Sequence, residues 1–188
     1  MYKATTSLQV KGLSQQELID GCIRGKRNCT NALYSYFSPK MFGICLRYAN
    51  DYHSAEDILQ EGFIRVFNHI DRFRGEGSFE GWMKRIFINT AIEYYRKSIN
   101  HSGHAELETT VSFQSSTNEL ALENLATQDL LKLIQKLSPG YRTVFNLYVI
   151  EGYAHKEIAA ALKISEGTSK SQLARARGIL QKMIKNLN

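Results

Sequence analysis

The stretch from residue 54 to residue 97 constrains the fold most, because it contains two adjacent helix patterns with different chemistry. From Ser54 to Ile70, large apolar residues recur at the spacing of one helical face and predict a buried stripe. Its members are Ile58, Leu59, Phe63, Val66, Phe67 and Ile70. Ser54, followed three residues later by Asp57, predicts a capping box at the start of this helix.

The polar side of this first helix is acidic. Asp57, Gln60 and Glu61 stand at positions i, i+3 and i+4 and so share one face. After a glycine-broken loop at residues 72–78, a second helix is predicted from about Phe79 to Lys97. That helix is aromatic and basic, with Trp82, Lys84, Arg85, Phe87, Asn89, Tyr94, Tyr95, Arg96 and Lys97.

An acidic helix followed by an aromatic and basic one indicates two partners, a protein and a nucleic acid. Aromatic rings stack on bases, Arg and Lys pair with phosphates, and Asn reads base edges. On residue chemistry alone, a helical hairpin with core aromatics and solvated charges explains the same pattern about equally well.

The double motif resembles region 2 of bacterial RNA polymerase sigma factors. The matching residues are Ala55, Glu56, Asp57, Gln60, Glu61 and Phe63, then Phe79, Trp82, Met83, Arg85, Ile86 and Asn89. Their spacing and the lack of other regions point to the small extracytoplasmic-function (ECF) subfamily. Phe87 departs from the usual pattern, where a small residue is frequent.

The resemblance implies roles for these residues. Asp57, Gln60 and Glu61 would dock on the clamp helices of the largest subunit of core polymerase. The loop and second helix would engage the promoter −10 element. The implied −10 contacts are Arg74, Phe79, Trp82, Lys84, Arg85, Asn89, Tyr95, Arg96 and Lys97. The resemblance also implies a protein regulator, an anti-sigma factor or a response regulator.

Two further helices precede this pair. Ser14 and Glu17 predict a capping box that opens a helix to about Gly25, after a frayed lead-in at residues 1–12. A longer helix is predicted at residues 29–49, and Pro39 predicts a kink or break near its middle. Residues 1–97 therefore read as one four-helix domain.

A linker is predicted at residues 98–118, where Ser, His and Thr replace the helix pattern. A flexible stretch of that length spans roughly 25 Å. Its few apolar residues, Val111 and Phe113 among them, either pack incidentally or thread through a partner, as the resemblance implies.

The C-terminal domain is predicted at residues 119–188. Ser116 and Glu119 predict a cap for a helix ending near Leu137, with Leu130, Ile134 and Leu137 inward. Ser138 and Pro139 then start a helix that ends near Gly152. Tyr141, Val144, Phe145 and Tyr148 are predicted to share one face of it.

A helix-turn-helix completes the chain, with helices at residues 155–162 and 167–186 and Ser165 capping the second. Residues from Glu157 to Arg177 resemble sigma region 4, although alone the pattern indicates only DNA binding. The candidate −35 contacts are Thr168, Lys170, Ser171, Arg175 and Arg177, the last contacting phosphate or packing on preceding helices. A three-helix packing unit with a solvated basic face is the alternative. Three positions depart from the family pattern. Ala154 stands where a capping Ser or Thr is common, Ser169 replaces a usual Val, and Gln172 replaces a frequent Arg.

Composition limits the remaining possibilities. A chain with 43% hydrophobic and 22% charged residues is globular, and its net charge of +6 suits a polyanionic partner. Three cysteines without a C-x-x-C pair indicate reduced thiols, and the N-terminus lacks a signal-peptide core, so a cytoplasmic protein is expected. No catalytic, metal-binding or cofactor motif stands out, so we expect no enzyme activity, cofactor or metal.

Together these observations predict an all-α protein of two helical domains joined by a flexible linker, acting as an ECF-type sigma factor with core RNA polymerase and promoter DNA. Two alternatives remain open at this point. An autonomous repressor or activator would bind palindromic duplex without polymerase. A protein-interaction module with a solvated basic face would not bind DNA.

Overall fold

The computed structural model describes residues 9–10, 12–102 and 125–186, and side chains within 12–99 and 129–186. It is helical, as predicted, and its two domains follow each other along the chain. The N-terminal helices are α1 (Gln15–Ile23), α2 (Arg27–Tyr48), α3 (Tyr52–His69) and α4 (Phe79–Ser102). The C-terminal helices are α5 (Leu125–Gln135), α6 (Pro139–Phe145), α7 (His155–Leu162) and α8 (Glu166–Lys185).

The first described residues form a short hairpin that the sequence did not predict. Strand β1 (Gln9–Val10) pairs antiparallel with β2 (Leu13–Ser14), in the register Val10 to Leu13. Gly12 turns the chain between them at φ +79°, a conformation that favours glycine. The predicted frayed lead-in is therefore partly paired.

Helix α1 starts as predicted, whereas the break predicted within α2 is absent. The Ser14 hydroxyl accepts from the Glu17 N–H at 3.3 Å, and the Glu17 carboxylate accepts from the Ser14 N–H at 2.8 Å. Helix α2 continues through Pro39 without interruption. Phe37 and Met41, each 1% exposed, hold both sides of the proline in the core, so packing outweighs the lost backbone hydrogen bond.

Helix α3 begins earlier than the sequence indicated, and the predicted capping box at Ser54 is wrong. The cap is Asp51, whose carboxylate accepts from the Ser54 N–H at 2.7 Å. Ser54 itself lies inside the helix, where its buried hydroxyl accepts from the Tyr94 hydroxyl at 3.0 Å. The predicted stripe is confirmed, because its members are buried or packed against the core: Ile58, Leu59, Phe63, Val66, Phe67 and Ile70.

A glycine-broken loop joins α3 to α4, as predicted. Gly75 and Gly77 adopt φ values of +75° and +83°, which other residues rarely adopt. The Ser78 hydroxyl then accepts from the Gly81 N–H at 3.3 Å and starts α4. Helix α4 continues to Ser102, five residues into the stretch predicted as linker.

In the C-terminal domain, Ser138 and Pro139 start α6 as predicted. A π-helical turn (Asn146–Ile150) follows, and the Glu151 N–H closes it on the Asn146 carbonyl at 3.0 Å. The prediction that Leu130 faces inward is wrong, since it is 48% exposed. Leu133, Ile134 and Leu137 fill that face of α5 instead. The predicted cap at Ser116 falls outside the described residues.

The two domains pack against each other. Val144, Leu147 and Ile158 join the same apolar cluster as Phe87 and Ile92 of α4. In the described part of the chain, no helix is both long and apolar enough to cross a membrane. Cys22, Cys29 and Cys45 are free thiols.

Candidate polymerase and DNA interfaces

The acidic patch predicted on α3 is solvent-facing. Asp57, Gln60 and Glu61 are all exposed on the side opposite the buried stripe. Arg65, one turn further along, donates to Glu61 at 2.7 Å and pairs with Glu93 of α4 at 2.8 Å. The Arg65 guanidinium holds the pKa of Glu93 below its usual value. The patch is therefore fixed to the neighbouring helix by a charged bridge.

An aromatic cluster occupies the start of α4 and the loop before it. Phe79 and Trp82 stack with ring centroids 5.5 Å apart, and Phe73 lies 5.1 Å from Phe79. Phe79 is only 1% exposed, so in this conformation it serves the core and does not offer its ring to a base. Trp82 is half-buried and keeps one edge accessible.

The other predicted −10 residues divide into exposed and engaged groups. Arg74 in the loop, and Arg85, Asn89 and Lys97 on α4, are exposed, and Arg96 is half-buried. Two are engaged by the C-terminal domain. Lys84 pairs with Glu151 at 2.8 Å, and Tyr95 is 9% exposed beside Gly140. In this conformation Tyr95 is therefore buried, whereas Lys84 is paired but remains 40% exposed.

The recognition helix α8 begins after a tight turn. Lys163 ends α7 in the left-handed region at φ +57°, and the Ser165 hydroxyl accepts from the Thr168 N–H at 2.9 Å. The predicted cap is thus confirmed. The start of α7 is weaker, because Ala154 has no capping oxygen and only the Glu157 carboxylate contributes, accepting from the Ala154 N–H at 2.8 Å.

One face of α8 carries the predicted −35 residues. Lys170, Ser171 and Arg175 are exposed there, and Thr168 is half-buried at the helix start. Lys170 pairs with Glu166 at 2.9 Å, which lowers the pKa of Glu166. Arg175 donates to the Tyr141 hydroxyl at 3.2 Å, so one of its amine groups is oriented by α6.

Arg177 lies over the ring of Tyr148 at 5.7 Å, which matches the packing role considered for it. The opposite partner of that ring is His155, stacked at 4.5 Å. His155 Nδ1 lies 2.9 Å from the hydroxyl of Ser169, a fully buried residue of α8. These contacts join α7 and α8 to the π-helical turn that contains Tyr148, and sequence reasoning did not identify His155 as part of them.

Glu151, Arg142 and Asn146 are further residues that the sequence did not single out. Arg142 and Asn146 are fully buried, and the Glu151 side chain is 4% exposed. All three contact the N-terminal domain. Glu151 also lines an open cavity of about 430 Å³ between α4 and α7, together with Lys84, Arg85 and Glu157.

Comparison with known proteins places both halves of the chain in one family. The Sigma-70 region 2 family model matches residues 33–99, and the Sigma-70 region 4 family model matches residues 127–180. The ECF RNA polymerase sigma factor SigW of Bacillus subtilis is 30% identical over 178 residues, covering 87% of this chain and 93% of SigW. This chain belongs to the ECF sigma factor family.

Other relatives of this sigma factor span almost its whole length. RNA polymerase sigma-H factor of Pseudomonas aeruginosa is 26% identical over 186 residues, which is 92% of this chain and 94% of that protein. Among solved structures, RpoE of Bartonella quintana, crystallised with the anti-sigma factor NepR, aligns with a TM-score of 0.48 and 22% identity. That alignment covers 81% of this chain and 94% of RpoE.

The matched segments contain the acidic patch, the basic face of α4 and the recognition helix. Sigma factors are DNA-binding transcription initiation factors and not enzymes. Among the described residues, no group of three or more His, Cys, Asp or Glu side chains is placed to hold a metal ion.

Proposed function

We propose that this sigma factor docks on core RNA polymerase through Asp57, Gln60 and Glu61 and directs initiation by opening the −10 element and reading the −35 element. The observation that carries the proposal is the separation of charge on two packed helices. The exposed acids Asp57 and Glu61 lie on α3, whereas exposed Arg74 lies in the loop and exposed Arg85 and Asn89 lie on α4. Lys97, further along α4, lies instead beside the acidic patch, where it lines a small pocket with Asp57 and Glu61. One small domain thus offers an acidic face to a basic protein surface and a basic face to DNA.

Promoter opening would use the loop and α4. Unstacking a base step costs a few kcal/mol, which captured bases and phosphate contacts must offset. Arg74 and Arg85 supply exposed positive charge, and the accessible edge of Trp82 supplies an aromatic surface. Binding through such phosphate contacts falls steeply with salt.

The −35 element would be read by α8. Lys170, Ser171 and Arg175 project from the first turns of the helix, where a helix-turn-helix presents its residues to the major groove. Lys170 and Arg175 suit phosphates or guanine edges, and Ser171 suits either a base or a phosphate. We expect the protein to act in the cytoplasm, with an anti-sigma factor or a response regulator covering its surfaces.

The polymerase contact is tested by reversing charge at one position and at its neighbour. Asp57→Lys should weaken pull-down of core enzyme at least about tenfold, because a lysine replaces an acid in the docking patch. Glu56→Lys carries the same charge change at an adjacent exposed position that points elsewhere on the helix. Equal affinity of the two variants for core would reject the docking patch.

The DNA contact is tested by run-off transcription with purified core enzyme on genomic fragments. Lys170→Ala with Arg175→Ala should abolish promoter-specific transcripts while core binding persists. Lys182→Ala with Lys185→Ala removes the same charge from the exposed far end of α8 and should leave transcription largely unchanged. Tight binding of the isolated protein to palindromic duplex, without need of polymerase, would favour an autonomous repressor or activator instead.

A further inference from the structure

The carboxylate of Glu151 joins the two domains. Its Oε1 accepts from Arg47 Nη2 at 3.0 Å and its Oε2 pairs with Lys84 Nζ at 2.8 Å. Both cations belong to the N-terminal domain, Arg47 to α2 and Lys84 to α4. The Glu151 side chain is 4% exposed and Arg47 is 20% exposed, so solvent screens this pair less than the Lys84 pair, whose lysine is 40% exposed.

A second set of contacts covers the C-terminal end of α2. The last carbonyls of a helix have no partner within it. Gln135 donates to the Leu46 carbonyl at 3.2 Å, and Asn146 donates to the Arg47 carbonyl at 2.6 Å. The C-terminal domain therefore satisfies helix-end groups of the N-terminal domain.

Arg142 completes this interface from α6. Its guanidinium donates to the Asn50 side chain and, at 3.2 Å, to the Gln135 carbonyl. Burial lowers the pKa of Arg142 to about 10, which still leaves it charged at neutral pH. Its hydrogen-bond acceptors are neutral and the nearby charge of Asp51 only partly offsets its burial, so this buried charge lowers the stability of the closed packing.

Several polar atoms at this interface are incompletely satisfied. Arg47 Nε, Arg142 Nε and Asn146 Oδ1 are buried and have no hydrogen-bond partner among the described residues. Permanent cores pair nearly all such atoms. Contacts between domains that separate during function are more polar, as this one is.

The closed packing is incompatible with simultaneous reading of both promoter elements. The centres of elements named −10 and −35 lie about 25 base pairs apart, or roughly 85 Å along B-DNA. A compact chain of 188 residues has a radius of gyration of about 16 Å and a diameter near 42 Å. The domains must separate to span that distance, and until they do Lys84 stays paired with Glu151 and Tyr95 stays buried.

We propose that Glu151, with Arg47 and Lys84, forms an interdomain latch that keeps the free sigma factor closed, with Lys84 paired and Tyr95 buried and so not available to the −10 strand. The closed state itself does not depend on the proposed function, but the claim that closure keeps these residues from the −10 strand rests on it. When the domains separate, Lys84 exchanges its ion pair with Glu151 for one with a DNA phosphate. The same lysine therefore contributes an ion pair in both the closed and the open state. Binding to core polymerase then supplies the free energy that separates the domains.

Small-angle X-ray scattering on the full chain tests the latch without DNA. Wild type should show a radius of gyration near 16 Å, and Glu151→Gln should raise it beyond about 20 Å. Gly140→Leu should do the same without changing charge. A methyl group on Gly140 would already lie 3.2 Å from the Tyr95 hydroxyl and 3.4 Å from Gln172 Nε2, so the larger side chain of leucine crowds the contact between the domains. Glu80→Gln, which breaks a Lys40 pair inside the N-terminal domain, should stay compact.

Fluorescence anisotropy with a labelled −10 non-template oligonucleotide tests what the latch withholds. Glu151→Gln and Gly140→Leu should both bind at least about fivefold tighter than wild type, because apparent affinity scales with the open fraction. Glu80→Gln adds the same net charge as Glu151→Gln and should gain much less. Equal gains from Glu80→Gln and Glu151→Gln would assign the effect to charge and overturn the latch.

The remaining outcomes are also decisive. Unchanged compactness in both opening variants would overturn the latch, as would an extended wild type. If Glu151→Gln fails to fold, Arg47→Gln removes the same pair from the other domain. Failure of both to fold would make the contact structural and overturn the proposal. If Glu151→Gln and Gly140→Leu expand but wild type with core enzyme gives no transcription, the proposed function is refuted, whereas the conclusion that the free protein is closed remains valid.

Discussion

Gly62→Ala should destabilise this protein, although alanine is the better helix former. Gly62 lies in α3 facing Phe87 of α4. A methyl group there would stand 2.3 Å from Phe87 Cε1, 2.5 Å from Cδ1 and 2.8 Å from Cζ. Phe87 is fully buried and contacts the ring of Phe63 at 5.2 Å, so its ring has no free space to enter. The bulky residue on α4 is matched by the absence of a side chain on α3.

The magnitude follows from two opposing terms. Overpacking a core typically costs about 1–3 kcal/mol, and a contact of 2.3 Å belongs to the upper half of that range, about 2–3 kcal/mol. Replacing glycine by alanine within a helix returns about 1 kcal/mol. We expect a net loss of about 1–2 kcal/mol in the free energy of unfolding. For a chain of this size that corresponds to a fall in Tm of roughly 3–6 °C.

A double-mutant cycle measured by urea denaturation and circular dichroism checks the reasoning. Phe87→Leu alone should destabilise by removing ring contacts, but Gly62→Ala added to it should cost little or even stabilise. The coupling between the two positions should be about 1–3 kcal/mol. A Gly62→Ala variant as stable as wild type, or additive losses in the double variant, would refute the close approach of α3 and α4.

Three further predictions concern single contacts. Ala154→Ser should raise the free energy of unfolding by about 0.5–1 kcal/mol in thermal melts, because Glu157 already provides the other half of a capping box; no gain would contradict the cap geometry. Tyr94→Phe should lower it by about 1 kcal/mol, since its hydroxyl donates to buried Ser54, and a Ser54→Ala, Tyr94→Phe double variant should lose little more. Arg65 lowers the pKa of Glu93 in the folded state, so the ionised Glu93 stabilises the fold above its unfolded pKa of about 4.5, and this stability is lost as the pH falls through the folded pKa. Glu93→Gln should therefore flatten that part of the acid denaturation curve. An unchanged curve would count against the bridge between Arg65 and Glu93.

Local signals in the sequence predicted most helix positions correctly. Ser14, Ser165 and Pro139 mark helix starts by chemistry that depends only on neighbouring residues, and the structure uses all three. The start of α3 was misplaced because Asp51 and Ser54 are both good capping residues and periodicity alone does not choose between them. The uninterrupted α2 shows core packing overriding a proline.

The candidate site was less predictable, because accessibility is a property of tertiary packing. Phe79 and Tyr95 belong to the aromatic pattern of α4, yet the first is buried by Phe73 and Trp82 and the second lies beside Gly140. Lys84 looks like any other cation of that helix until Glu151 is seen beside it. Contacts between distant segments leave no periodic trace in a single sequence.

The π-helical turn at Asn146–Ile150 has a consequence for how such a protein changes over time. A π turn holds one residue more than an α turn, and each residue rotates the following side chain by about 100°. Deleting one residue there would aim a different side chain at Arg47 while leaving the recognition helix intact. The contact between the domains can therefore change through the gain or loss of a single codon in this turn, without any change in the residues of α8.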